Sequence, residues 1–155
     1  MPHFHIPLQS GSDTVLKLMH RRYDTALFRH KTILIKEYMP DAFIGVDVMA
    51  GCRGETPECF DDCYRFLESL DFTQLHVFPY SERPGTAALK IPYIVEEKEK
   101  KRRVDELLRL SDQKTLDFYE RHLGEERYAL IERGKGRTLG GFTDNYIRVQ
   151  LNPIG

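Results

Sequence analysis

Apolar residues recur along this chain in two alternating rhythms. Short runs dense in apolar and β-branched residues predict strands, and stretches with apolar positions three and four apart predict helices. The first run, His3 to Leu8 in HFHIPLQSGSD, predicts a strand closed by a Gly/Ser turn. Ser12 stands where a helix N-cap belongs, ahead of Val15, Leu16 and Met19 on one face. From about Asp24 a longer helix is predicted, with Leu27, Phe28, Leu34, Ile35 and Tyr38 inward and Pro40 as its stop. AFIGVDVMAG (Ala42 to Gly51) reads as a buried parallel strand. ETPECFDDCYRFLESL reads as a helix capped by Thr56, with Pro57 at its first position and Phe60, Cys63, Tyr64 and Leu67 facing the core. QLHVFPY (Gln74 to Tyr80) predicts the third strand, and SERPGTAAL a turn-rich loop. One long charged helix is predicted from about Val95 to His122, with Val104, Leu107, Leu108 and Ser111 as its buried stripe. Its charge run, EEKEKKRR from Glu96 to Arg103, predicts a solvated face.

This β, α, β, α, β, loop, α order predicts an α/β fold with parallel strands and right-handed crossovers. A three-stranded sheet leaves its edges open, so self-association is expected. After Leu123-Gly124 the rhythm changes to period two. Ala129 and Ile131 share one face, a Gly-rich turn follows, and Ile147, Val149 and Leu151 share a face of a last strand. The stretch predicts a β module too short to close a barrel. The division expected is 1–122 and 123–155.

Composition narrows the classes. With 155 residues, 41% of them hydrophobic, the chain can build one ordinary core plus a small appendage. A net charge of -1 excludes a globally basic nucleic-acid binder and leaves room for a local basic patch. No apolar run approaches the roughly 20 residues of a membrane span. The first residues hold histidines and a proline instead of a basic segment with an apolar core, and a cytoplasmic location is expected. The three cysteines read as free thiols.

Three polar rims follow the carboxyl ends of the strands: QSGS (Gln9 to Ser12), GCRGET (Gly51 to Thr56) and YSERPGT (Tyr80 to Thr86). Ligands bind at that end of parallel α/β sheets and barrels. Amide, hydroxyl, carboxylate and guanidinium groups there suit a ribose, an adenine edge or an amino-acid zwitterion; ordinary βα loops have the same composition. His3 and His5 form H-x-H on a strand and point the same way, but with no third ligand in view no metal is assigned. Arg133, Lys135, Arg137, Asn145, Tyr146 and Arg148 mix cations, an aromatic and an amide, which suits phosphate contact with base stacking.

HFHIPLQSGSDTVLKLMHRRY, DVMAGCRGET and FPYSERPGT resemble three successive motifs of the radical S-adenosylmethionine methylthiotransferases, and FTDNYIRVQL resembles the start of that family's TRAM domain. Within the family, HIPLQSG, DVMAGCRGET and MPDAFIGVD look most like the branch acting on threonylcarbamoyladenosine beside the tRNA anticodon. The resemblance implies the C-terminal half of a partial (β/α) barrel, in three βα units, followed by an incomplete OB-like TRAM module that binds RNA. It implies S-adenosylmethionine and two 4Fe–4S clusters as cofactors, methylthiolation at C2 of the modified adenine, and the tRNA anticodon stem-loop as partner. Gln9, Ser10 and Ser12 would line the methionine and ribose side of the cofactor, Asp47 and the Gly51 to Glu55 backbone would flank it, and Phe78, Tyr80 and Arg83 would border its adenine. Isopentenyladenosine in tRNA, or an aspartate of a ribosomal protein, is the substrate of sibling branches; a non-catalytic RNA-binding fragment is the other alternative. The family's radical cluster needs C-x-x-x-C-x-x-C, whereas Cys52, Cys59 and Cys63 here are spaced C-x6-C-x3-C. The expectation is therefore a C-terminal portion, inactive alone, whose cluster motif and first barrel half belong to sequence before Met1.

Overall fold

The computed structural model describes residues 2–132 and 139–151. β1 (His3–Gln9), β2 (Phe43–Ala50) and β3 (Gln74–Pro79) form a parallel sheet in the order β1-β2-β3. The connections carry α1 (Asp13–Leu18), α2 (Thr25–Tyr38) and α3 (Pro57–Glu68); a 3-10 turn, Ala87–Lys90, and α4 (Glu97–Arg121) follow β3. Local chemistry sets the helix starts. The Asp24 carboxylate accepts from the Leu27 N–H at 2.8 Å, and the Thr56 hydroxyl accepts from the Cys59 N–H at 3.3 Å. Ser12 takes the cap position of α1, but its side chain makes no cap bond.

Strand parity decides which sheet face is covered. Ile44, Val46, Val48 and Ala50 of β2 join Leu8, Phe60, Leu67, Leu75 and Leu107 in one buried core under the helices. The alternate positions (His3 and His5, Gly45 and Asp47, His76 and Phe78) lie on the opposite face. That second face mixes these polar groups with Phe43 and Phe78, and Phe43 meets Phe118 of α4 edge-on at 5.6 Å.

Two helix stripes differ from the sequence expectation. On α2, Phe28 is buried and Ile35 packs on the core, but Leu27 and Tyr38 are exposed, Tyr38 at 79%. On α4, Leu108 is exposed and the buried line runs through Lys100, Arg103, Leu107, Leu110, Ser111 and Phe118. The predicted stripe began at Val104 because it followed apolar residues only. The helix extends it one turn further back through two cations, whose aliphatic stems pack as apolar groups do. The charge run is thus not wholly solvated: Arg103 is 0% exposed.

The remaining strands, β4 (Ala129–Glu132), β5 (Leu139–Thr143) and β6 (Arg148–Leu151), form an antiparallel meander, β4-β5-β6. Ala129 and Ile131 share one face of β4 as expected, and every residue of that strand is exposed. A tight turn joins β5 to β6. Thr143 bonds Ile147 through both its N–H and its hydroxyl, at 2.9 Å each, and Tyr146 takes a left-handed φ of 69°. An aromatic seam connects this unit to the start of the parallel sheet: Tyr146 stacks on His3 at 4.0 Å and on Phe142 at 4.8 Å, with Phe43 edge-on at 5.3 Å. Arg127 adds an ion pair to Asp41 at 2.5 Å, which holds the Asp41 carboxyl below its usual range. Among the described residues no helix is long and apolar enough to cross a membrane.

Candidate functional site

The three rims meet at the carboxyl end of the parallel sheet. β1 ends in a register shift between Pro7 and Gln9, and Gln9 has a φ of 73°. A non-glycine residue in that region is held there by its surroundings, and such residues cluster at functional sites. The Tyr23 hydroxyl donates to the Leu8 carbonyl at 2.8 Å, satisfying backbone at the shift. Beyond it, Gly11 lies against α3, with its N–H donating to the Cys63 sulfur at 3.0 Å. Ser10 and Ser12 are buried with it; the Ser10 hydroxyl accepts from the Ser12 N–H at 3.1 Å, and the Ser12 hydroxyl has no partner among the described residues. These two serines face the packing between loop and helix, and Gln9 is the residue of this rim that stays partly exposed.

The second rim is built on an ion pair. Glu55 is 1% exposed, and its carboxylate accepts from the Gly51 N–H at 2.7 Å and from Arg103 at 2.8 Å. Arg103 also donates to the Glu55 carbonyl at 2.7 Å and to Glu99 at 2.9 Å. Against the desolvation of burial, these hydrogen bonds hold the guanidinium firmly charged. Arg102 and Arg103 keep the Glu99 carboxyl at about 2. Gly51, at φ 77°, lets the Lys100 stem lie flat on the loop where a Cβ would stand. Sequence reasoning assigned Glu55 to the rim but missed Arg103 as its partner.

Arg53 links the second rim to the third. It donates to the Leu89 and Ile91 carbonyls at 3.0 Å each and to Glu82 at 2.7 Å. Gly54 donates to the Tyr93 carbonyl at 2.9 Å. These bonds fix one wall of an open groove of about 500 Å³ lined by Met49, Phe78, Tyr80, Arg83, Thr86 and Ala88. The groove brings together three of the expected residues, Phe78, Tyr80 and Arg83. Asp47 stands lower on β2, hydrogen-bonded to the His5 ring. Arg53 stood in the GCRGET rim as a candidate ligand group, but its carbonyl partners Leu89 and Ile91, in the loop after β3, carried no sequence signal.

The cysteines do not form a metal centre. All three are buried, and no convergent ligand group among the described residues includes a thiol. Burial pushes the Cys63 thiol up to about 12 and raises Cys52 as well. The donor set fits neither a cluster nor a reactive thiol.

Of the expected RNA contacts, Arg133, Lys135 and Arg137 lie outside the described residues. Asn145 is fully buried and accepts from the Thr143 hydroxyl at 2.7 Å. Tyr146 is held in the aromatic seam, and Arg148 is exposed.

No protein-family model matches the chain. It is 40% identical over 152 residues to the threonylcarbamoyladenosine tRNA methylthiotransferase MtaB of Bacillus subtilis, which covers 95% of this chain and 34% of that protein. The corresponding protein of Aquifex aeolicus is 40% identical over 149 residues, 96% of this chain and 35% of its own length. A tRNA-2-methylthio-N(6)-dimethylallyladenosine synthase of Pelotomaculum thermopropionicum is 36% identical over 138 residues, 89% of this chain and 31% of its own. The chain thus spans about a third of the length of these relatives. Among solved structures, coproporphyrinogen III oxidase of Escherichia coli, a radical SAM enzyme, superposes with a TM-score of 0.50 at 18% identity over 81% of this chain and 29% of that one. That likeness is one of fold.

Proposed function

We propose that this chain is a segment of a tRNA methylthiotransferase of the radical S-adenosylmethionine class, acting on threonylcarbamoyladenosine beside the anticodon. The observation that carries the reading is the sequence match over nearly the whole chain to proteins of that name, at 40% identity over 95% of its length. The fold likeness to a radical SAM enzyme supports it independently. Residues 1–122 then supply three βα units of the barrel, and 123–155 part of a TRAM module.

In this reading the groove at the strand ends receives the adenosyl part of S-adenosylmethionine. Phe78 and Tyr80 offer ring faces to the adenine and Arg83 a cation at the rim, while Gly51, covered by the Lys100 stem, shapes the loop behind them. Gln9 and Asp47 line the sheet face beside it. Ser10, Ser12 and Glu55 hold the loops that shape this groove. The iron–sulfur clusters of the class do not fit the three buried thiols of this chain. The protein's share is to seat cofactor and base in fixed register.

The RNA partner is tested on the chain itself. Binding to an anticodon stem-loop, followed by fluorescence anisotropy, should weaken linearly in log–log form as salt rises, since phosphate contacts release counterions. Arg148→Ala should weaken binding and lower the salt slope by about 1. Salt-independent binding, or none at low salt, would overturn the RNA half of the reading.

A further inference from the structure

The sheet face that carries Asp47, read above as lining the cofactor groove, also holds two imidazoles to which that reading gives no role. His5 on β1, Asp47 on β2 and His76 on β3 share that face, on three adjacent strands. One donor atom from each lies within 4.8 Å of the other two. Asp47 accepts a hydrogen bond from the His5 ring, and the His5 and His76 rings sit 4.6 Å apart. We propose that these three residues bind a divalent transition-metal ion of the zinc type.

The chemistry of the donors selects the ion. Two imidazoles and one carboxylate form the set that zinc and iron(II) take in sites with three protein ligands and an open position. Calcium and magnesium prefer all-oxygen shells. A tetrahedral ion with bonds of about 2.0–2.2 Å needs donors about 3.4 Å apart. The side chains of His5 and Asp47 are 50% and 21% exposed, so small side-chain rotations suffice to close the set.

Gly45 is the second observation. It sits in the middle of β2, beside His5 in register, without a positive φ or a turn to explain it. A Cβ there would come within 3.2 Å of His76 Nε2. Glycine inside a strand is unfavourable and marks close approach of another group. Here it keeps the floor clear between the two rings. A contrast comes from Asp41, His122 and Glu125, which also converge. There the Arg127 guanidinium already pairs with Asp41 at 2.5 Å and Glu125 at 2.6 Å, taking the place of a cation. Among the described residues no Lys or Arg pairs with Asp47, whose one ion-pair partner is His5. The ion's fourth position would point away from the sheet, toward water or a ligand donor atom.

Cobalt(II) titration of the chelator-treated chain, with folding checked by circular dichroism, tests the proposal. One equivalent should raise visible d–d absorption without near-ultraviolet thiolate charge-transfer bands, and zinc should bleach it. His76→Ala and Asp47→Ala should abolish the signal, and His30→Ala, on the exposed side of α2, should retain it. Gly45→Ala should weaken binding by about ten- to a hundredfold, the usual cost of disturbing a group that orients a ligand. No stoichiometric absorption in the folded chain, a signal that survives His76→Ala, or thiolate bands would overturn the assignment.

Discussion

Arg103→Ala should destabilise the protein by about 3–5 kcal/mol, the cost of stranding one partner of a buried ion pair. Both side chains of the Arg103–Glu55 pair are 1% exposed and sit 2.8 Å apart. The guanidinium also packs 5.1 Å from the Phe60 ring centroid, at the edge of the main core. Removing it leaves the Glu55 carboxylate with the Gly51 N–H as its remaining partner. The Glu55 carbonyl and Glu99 each lose a donor as well. Urea denaturation followed by circular dichroism measures the loss. The double variant Arg103→Met with Glu55→Leu should recover most of it, because apolar groups of similar volume replace buried pairs at little cost. A loss under about 1 kcal/mol for the single variant, the range of exposed pairs, would show that the pair is solvated.

Gly11→Ala should cost about 1–3 kcal/mol, the range for forcing atoms into filled space. A Cβ at Gly11 would stand 2.8 Å from the Cys63 carbonyl oxygen and 3.0 Å from its Cα. The obstacle is helix backbone, which has no alternative rotamer. The loop must lift from α3, carrying Ser10 and Ser12 with it and breaking the Gly11 N–H bond to the Cys63 sulfur. A second readout follows. In the native protein Cys63 is buried with its thiol pushed up to about 12, so it should resist alkylation near neutral pH. In Gly11→Ala it should react measurably faster. Unchanged stability with unchanged labelling would mean that loop and helix are not in close contact.

Where a feature was local, the sequence showed it. Thr56-Pro57 announced the start of α3, and the β-branched run of β2 announced a central strand. The H-x-H spacing correctly put His3 and His5 on one face. Features made by distant segments were not visible. The third member of the histidine constellation comes from β3, and the shared face exists only once the parallel register is set. Arg103 sat in a run of charges that reads as solvent-facing, and only the loop after β2 supplies its partner. Leu27 and Tyr38 stay exposed while Phe28 and Thr32 are the buried residues of α2, a choice of face that apolar periodicity alone did not report. Tyr146 looked like a base-stacking residue and is spent on His3 and Phe142. Gln9 carried no sign of its left-handed backbone, since any polar residue fits a strand end by composition.

On this reading the chain performs the work of its matching segment in a tRNA methylthiotransferase. Grafting it in place of the corresponding 152 aligned residues of the Bacillus subtilis relative tests this most directly. The chimera would be expressed in cells lacking that enzyme, and their tRNA nucleosides measured by mass spectrometry. The 2-methylthio form of threonylcarbamoyladenosine should return. A soluble chimera that keeps its cluster absorbance, while threonylcarbamoyladenosine stays unmethylthiolated, would contradict it.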